Sequence, residues 1–132
     1  MERWRKVWRE GLARQLSTRA LEALNRALLD NDARLLQGAT TSPPALDVMA
    51  DCDVEAACAL CFSAWQGDGR RTIAEVVQEF DRVCQAADVA LGEPAGCRLF
   101  LDWFDLTPRL EVRRLLGAEV ERSLCQRRAA AA

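Results

Sequence analysis

The sequence predicts an all-α protein: a single-domain bundle of five to seven short helices that covers residues 1–132. Apolar residues recur at spacings of three and four along most of the chain, as they do on the buried face of a helix. No run of alternating apolar and polar residues is long enough to require a sheet. Half of the residues are hydrophobic and 29% are charged, which suits one folded domain with its own core.

The first predicted helix, residues 1–16, is amphipathic and basic. Residues 1–19 carry six basic and two acidic side chains, although the formal net charge of the whole chain is −2. Large apolar side chains align on one face at a spacing of four, and basic side chains lie mainly on the other. The residues that we expect to form an interaction surface on this helix are Trp4, Trp8, Leu12, Lys6 and Arg9.

Three interpretations of this helix are open. Tryptophan and arginine often dominate protein interfaces, so the helix can anchor a protein partner or a second copy of the chain. In the second interpretation, Trp4 and Trp8 dock on their own domain. In the third, the basic face binds an anionic membrane or a nucleic-acid backbone. Nucleic acid is disfavoured because the chain as a whole is acidic.

The second helix is predicted to begin after Ser17, a suitable N-cap, and to continue through Leu29. A break and one or two further helical turns follow, ended by Gly38. Residues 39–44, ATTSPP, form the clearest loop because the two prolines lack amide donors. Backbone amides and three hydroxyls between Gly38 and Pro44 can cradle an anion, but a surface connector is the simpler interpretation.

Two helices are predicted in the middle of the chain. The first is expected to begin near Asp51 or Asp53, whose carboxylates favour the positive end of a helix, and to end near Trp65. Thr72 is the expected N-cap of the next helix, which Gly92 separates from the following segment.

The last two predicted helices differ in character. A helix near residues 95–106 is apolar nearly all round, which predicts that it lies buried at the centre of the bundle. The final helix follows Pro108, which suits a first helical turn. It is expected to fray into the alanine tail of residues 127–132.

Cys58 and Cys61 form the one Cys-x-x-Cys pair of the sequence. A structural zinc site needs four thiolate or imidazole ligands, but the sequence has no second close pair and no histidine. A redox-active dithiol normally follows a strand and opens a helix, whereas this pair is expected in the middle of a helix. Core packing is therefore the favoured role, and a thiol-dependent metal or redox protein is the alternative.

The composition limits the chemistry that the chain can perform. It has no histidine and no tyrosine, and Lys6 is the only lysine, so the commonest general base and metal ligand are missing. We therefore predict no catalytic residue, no metal and no cofactor, and the sequence indicates no particular small-molecule ligand.

Location and function follow from what the sequence lacks. No export signal or membrane-spanning apolar run is present, and six cysteines in such a chain suggest reduced thiols in the cytoplasm. The expected function is that of a cytoplasmic, non-catalytic adaptor or protein–protein interaction module.

Overall fold

A computed structural model describes residues 1–131. It is 69% helical, with six helices and one two-stranded sheet in that part of the chain, which confirms the all-α prediction. In chain order the elements are α1, built from Arg3–Val7, a π-helical stretch Trp8–Leu12 and Ala13–Gln15; α2, Thr18–Asp30; β1, Thr41–Ser42; a 3-10 turn, Asp47–Met49; β2, Ala56–Ala57; α3, Ala59–Phe62 continued by a π-helical stretch Ser63–Gly67; α4, Ile73–Leu91; α5, Gly96–Leu106; and α6, Arg109–Ala131. None of these helices is both long and apolar enough to cross a membrane.

One cluster of apolar side chains joins the six helices. Its members come from every helix, so no helix packs as an independent unit. The largest fully buried side chains are those of Val7, Trp8, Leu12, Leu21, Leu24, Leu35, Leu60, Phe62, Ile73, Phe100, Phe104 and Leu116.

The junction of α1 and α2 follows its local sequence signals. The Ser17 hydroxyl accepts a hydrogen bond from the amide of Ala20 at 3.0 Å, as predicted for an N-cap. Helix α2 ends where Asn31 adopts a left-handed φ of 51°, a conformation that asparagine tolerates. The end of α3 packs closely on the start of α2. A Cβ added to Gly67 would lie 2.4 Å from the Cα of Ala20, so this contact requires glycine.

Residues 31–38 do not form the helical turns that the sequence predicts. Leu35 instead makes a parallel bridge to Ala57. The Arg109 guanidinium donates to the carbonyl oxygens of Leu35 at 2.5 Å and of Asp32 at 2.6 Å. These backbone groups therefore find their partners on α6 and near β2, and they need no helix to satisfy them.

A small sheet forms where the sequence predicts a loop and the beginning of the next helix, so both predictions are corrected. Within residues 39–44, β1 pairs antiparallel with β2. The helix expected to begin near Asp51 or Asp53 begins at Ala59, because Asp53 bridges to Thr72 and the chain stays mostly non-helical up to β2. Long-range pairing thus overrides the helix propensity of this alanine-rich stretch.

The start of α4 confirms its predicted cap. The Thr72 hydroxyl accepts from the Glu75 amide at 3.3 Å, and the Glu75 carboxylate accepts from the Thr72 amide at 3.0 Å. This reciprocal capping box lowers the pKa of Glu75 because the Thr72 amide and hydroxyl stabilise its ionised form. The helix ends at Gly92, whose φ of 69° suits glycine.

The helix predicted near residues 95–106 is present as α5, and its burial is one-sided. Cys97, Phe100 and Phe104 face the core, whereas Leu106 is 84% exposed. This helix is therefore amphipathic, and the expectation that it is enclosed on all sides is corrected.

Helix α6 continues through the predicted frayed tail. The tail was expected at residues 127–132, but the helix extends to Ala131 and Ala132 lies outside the described residues. Arg127 supports this end because its guanidinium donates to the carbonyl oxygen of Ala13 at 2.8 Å.

A disulfide joins α4 and α5 through Cys84 and Cys97. The expectation that all six cysteines are reduced is therefore wrong for this pair. The free thiols are those of Cys52 and Cys125, which are exposed, and of Cys58 and Cys61, which are buried.

Candidate functional site

The residues predicted to form an interaction surface on α1 are divided between core and surface. Trp4 is 3% exposed, and Trp8 and Leu12 are 0% exposed. These three side chains therefore dock on their own domain, and the interpretation that they anchor a partner is corrected. Lys6 is exposed and Arg9 is partly exposed. A contact between α1 and a partner stays a prediction that rests on such exposed residues.

Both tryptophans are held by specific contacts within the chain. The Trp8 indole N–H donates to the Ser123 hydroxyl at 3.2 Å, and that hydroxyl donates to the Glu119 carbonyl oxygen at 3.0 Å. The Trp4 ring stacks on the Trp103 ring with centroids 3.7 Å apart. The polar atom of Trp8 is thus satisfied inside the core, as a buried indole requires.

Arg9 belongs to an ion pair between α1 and α6. Its Nε and Nη2 atoms donate to the two Glu119 carboxylate oxygens at 2.5 and 2.8 Å, and Glu119 is itself buried. The hydrogen bond from Arg9 holds the pKa of Glu119 below its usual range, and the charges of Arg5 and Arg122 add to the effect. Arg9, which the sequence predicts as part of an interaction surface, therefore stabilises the packing of α1 against α6.

The cysteine pair lies where the chain passes from the sheet into α3. Cys58 directly follows β2 and is the N-cap residue of α3, and Cys61 lies in the first turn. The predicted position in the middle of a helix is therefore wrong, but the predicted burial is confirmed at 3% and 0% exposure. The pair therefore follows a strand and opens a helix, which is the arrangement that redox-active dithiols use. The sequence alone did not indicate this arrangement.

The two thiols differ in acidity because of this position. A hydrogen bond from the Cys61 thiol lowers the pKa of Cys58, and the backbone amides of Cys61 and Leu60 act in the same direction. Burial and the negative charge of Asp105 oppose this effect without cancelling it. The pKa of Cys61 is raised by its interaction with Cys58 and by burial. Cys58 is therefore the more acidic thiol of the pair, and Cys61 is the thiol that keeps its proton to higher pH.

A pocket of about 360 Å³ opens beside Cys58, and we call it the cysteine pocket. It lies between the Gly38–Thr40 segment, the start of α3, and helices α4 and α5. Apolar, basic and acidic side chains all contribute to its walls. Besides Cys58 it is lined by Gly38, Ala39, Thr40, Phe80, Arg98, Leu101, Asp102 and Asp105.

The loop singled out in the sequence forms one wall of the cysteine pocket. The Gly38 amide donates to the Asp105 carboxylate at 2.9 Å, and the Thr40 carbonyl accepts from the Cys58 amide at 2.8 Å. Two sequence candidates, the Gly38–Pro44 loop and the cysteine pair, thus meet at one site. The Gly38 amide that was a candidate for binding an external anion is occupied by Asp105.

The remaining pocket residues carry no signal that sequence reasoning can use. Phe80, Arg98, Leu101 and Asp102 come from two helices, and each resembles an ordinary residue of an amphipathic helix. Among residues 1–131, no group of three or more histidine, cysteine, aspartate or glutamate side chains is placed to hold a metal ion. The reactive groups at the site are the Cys58 thiol, which lines the cysteine pocket, and the buried Cys61 thiol beside it.

Comparison of the chain with protein-family models, curated proteins and solved structures finds no significant match. The function must therefore be inferred from the site itself.

Proposed function

We propose that the protein performs thiol–disulfide exchange at Cys58, with a disulfide-bearing protein or peptide as its partner. The observation that carries this proposal is the position of Cys58: it follows a strand, is the N-cap residue of α3, and lines a pocket with Cys61 as its neighbour. This position favours a thiolate at Cys58, which is the reactive form in exchange. The proposal thus adopts the thiol-dependent alternative in place of the non-catalytic adaptor that the sequence favours.

The proposed reaction has two steps and conserves electrons. The Cys58 thiolate attacks one sulfur of the partner disulfide, and the other partner sulfur leaves as a thiolate. Cys61 gives its proton to that thiolate and attacks the Cys58 sulfur of the mixed disulfide. The second partner sulfur leaves as a thiolate, so the partner disulfide is reduced while Cys58 and Cys61 become a disulfide.

The surroundings of the two thiols support this division of roles. The Cys61 sulfur lies 3.8 Å from the carbonyl oxygen of Val76, a second acceptor that can hold its proton when Cys58 is bonded to a partner. Phe80 and Leu101 give the pocket apolar walls, and Arg98 and Asp102 form an ion pair at its edge. A peptide segment with mixed polarity suits these walls.

We further propose that the protein works in the cytoplasm, as the sequence predicts. Turnover requires that the Cys58–Cys61 disulfide be reduced again by a thiol reductant, and the cytoplasm maintains such a reductant. The Cys84–Cys97 disulfide is separate from this cycle because it joins α4 to α5 and neither of its cysteines lines the cysteine pocket.

The test is to incubate the reduced full-length protein with oxidised glutathione and to map disulfides by mass spectrometry. The wild type should form the Cys58–Cys61 disulfide. Cys61→Ser should instead accumulate a mixed disulfide between Cys58 and glutathione, because nothing resolves it. Cys58→Ser should form neither product, and Cys125→Ser, which removes an exposed thiol, should behave as the wild type.

Two outcomes would count against the proposal. The first is that, in Cys61→Ser, oxidised glutathione modifies Cys125 but leaves Cys58 unmodified. The second is stoichiometric zinc or iron in protein purified without chelator that disappears in Cys58→Ser, which would favour a metal site.

A further inference from the structure

We propose that the groove between α1 and α6 binds a small ligand that carries phosphate groups. This groove, which we call the arginine cleft, has a volume of about 380 Å³ and lies apart from the cysteine pocket. Its size is within the range of small-molecule sites. The polar side chains that line it are those of Arg9, Arg14, Arg122, Ser123, Gln126 and Arg127, together with Glu10.

The arginine cleft concentrates positive charge in an acidic protein. Four guanidinium groups line it against one carboxylate, that of Glu10, although the formal net charge of the chain is −2. The buried Glu119 carboxylate neutralises Arg9 from beneath. Two positive charges are therefore left in excess, in a concave site where they reinforce each other.

Two of these arginines are held in place by the protein and keep donors for a ligand. Arg9 uses Nε and Nη2 toward Glu119, which leaves the N–H groups of Nη1. Arg127 donates to the Ala13 carbonyl oxygen at 2.8 Å and to the Thr18 hydroxyl at 3.3 Å. A guanidinium has five N–H donors, so neither side chain is saturated. Their positions are thus set before a ligand arrives, which reduces the entropy lost on binding.

The other two arginines are not held in place by the domain. Arg14 and Arg122 are exposed, and neither forms an ion pair with any residue between 1 and 131. Each stands on one wall of the cleft, Arg14 on α1 and Arg122 on α6. They are therefore free to close over a bound anion from opposite sides.

Phosphate is the anion that this set of donors fits best. Guanidinium groups bind phosphate oxygens with paired N–H donors, and phosphate supplies several oxygens and more than one negative charge. Single-stranded nucleic acid is a poorer fit, because such sites stack bases on aromatic side chains and no aromatic residue lines the cleft.

The test is a calorimetric titration of the full-length protein with inorganic pyrophosphate at low ionic strength. Arg14→Gln with Arg122→Gln should weaken binding by about tenfold or more, since each removes a charged hydrogen-bond donor. The matched control is Arg19→Gln with Arg26→Gln, two exposed arginines of α2 outside the cleft, which removes the same charge. The control should weaken binding by less than about twofold. Circular dichroism verifies that both variants stay folded.

Three results would overturn the proposal. One is the absence of pyrophosphate binding by the wild type at millimolar concentration. Another is equal weakening in both variants, which would show a general effect of charge. The third is a short oligonucleotide that binds more tightly than pyrophosphate and loses the same affinity in the cleft variant as in the control variant. This result would indicate a nucleic-acid surface.

Discussion

The two cysteine pairs each place at least one buried cysteine in the core, but their chemistry differs. Cys58 and Cys97 are each 3% exposed, yet Cys58 keeps a free thiol and Cys97 is bonded to Cys84. Cys84 and Cys97 stand on two neighbouring helices, separated by 13 positions in sequence. Cys58 and Cys61 lie within one turn at the beginning of α3.

The backbone around each pair explains the difference. At the start of α3 the backbone amides of Leu60 and Cys61 lower the pKa of Cys58, so the beginning of the helix favours its thiolate. Cys97 also lies in the first turn of its helix, but there the Asp88 carboxylate accepts from its amide at 2.8 Å. The Cys97 sulfur is instead bonded to that of Cys84, whose Cα atom lies 5.4 Å away, and it serves as a cross-link. Burial alone therefore does not decide the role of a cysteine.

The largest difference between the two cysteine pairs is expected in their rates of alkylation by iodoacetamide in the absence of a reductant. Cys58 should react in the native protein at least about 100-fold faster than Cys84 or Cys97, because only a free thiolate is a nucleophile. The lowered pKa of Cys58 means that its thiolate persists below the pH at which ordinary thiols become protonated. Its alkylation rate should therefore decline at lower pH than that of N-acetylcysteine.

Peptide mapping by mass spectrometry after timed quenching measures these rates site by site. Faster labelling of Cys84 or Cys97 than of Cys58 would reverse the comparison. A rate profile for Cys58 that declines at higher pH than that of N-acetylcysteine would contradict the thiolate assignment.

Removal of the cross-link should have the second-largest effect. Cys84→Ala with Cys97→Ala should lower the free energy of unfolding by about 3 kcal/mol, because the disulfide no longer restricts the unfolded chain between α4 and α5. Urea denaturation measures this change. Cys52→Ser with Cys125→Ser alters two exposed thiols and should change it by less than about 0.5 kcal/mol. Equal stability of all three proteins would show that the bridge contributes nothing.

The two pairs also show how far the sequence can predict this molecule. The caps at Ser17 and Thr72 are local signals, and both helices begin where those signals place them. Cysteine is not among the usual N-cap residues, so nothing local marked Cys58 as the start of α3. The pairing of β2 with β1 positions that residue, and the pairing depends on segments distant in sequence.

The cysteine pocket was unpredictable for a related reason. Its walls come from four separate stretches of the chain, so no short motif contains them. Arg109 shows the same limit in the fold, because it satisfies carbonyl groups more than 70 positions earlier in the chain. Helices that begin at a local capping signal could thus be predicted from the sequence. Elements and sites that depend on contacts between distant segments could not.

A smaller effect is expected from the proton donor of the reactive pair. Cys61→Ala removes the thiol that donates to Cys58, so the pKa of Cys58 should rise and its alkylation profile should move to higher pH. Cys61→Ser keeps a donor at the same place and should shift the profile less. The free energy of unfolding should fall by about 1 kcal/mol in Cys61→Ala, as for other lost buried hydrogen bonds. An unchanged pH profile in Cys61→Ala would mean that the helix amides alone set the acidity of Cys58.

The smallest effect concerns a charge on the rim of the cysteine pocket. Asp105 raises the pKa of Cys58 through its negative charge and accepts a hydrogen bond from the Gly38 amide. Asp105→Asn removes the charge but keeps an acceptor for Gly38, so the loop should stay in place. The rate of Cys58 alkylation near neutral pH should then increase by about twofold, because a larger fraction of Cys58 is ionised.

Asp102→Asn provides the matched control for this variant. Asp102 lies on the same rim, but its charge is paired with Arg98 at 3.2 Å, so neutralising it should leave the rate within experimental error. Equal rate increases in the two variants would show that the overall charge of the pocket, rather than the position of Asp105, tunes the thiol. A rate decrease in Asp105→Asn would instead show that Asp105 acts mainly by holding the Gly38–Thr40 wall against Cys58.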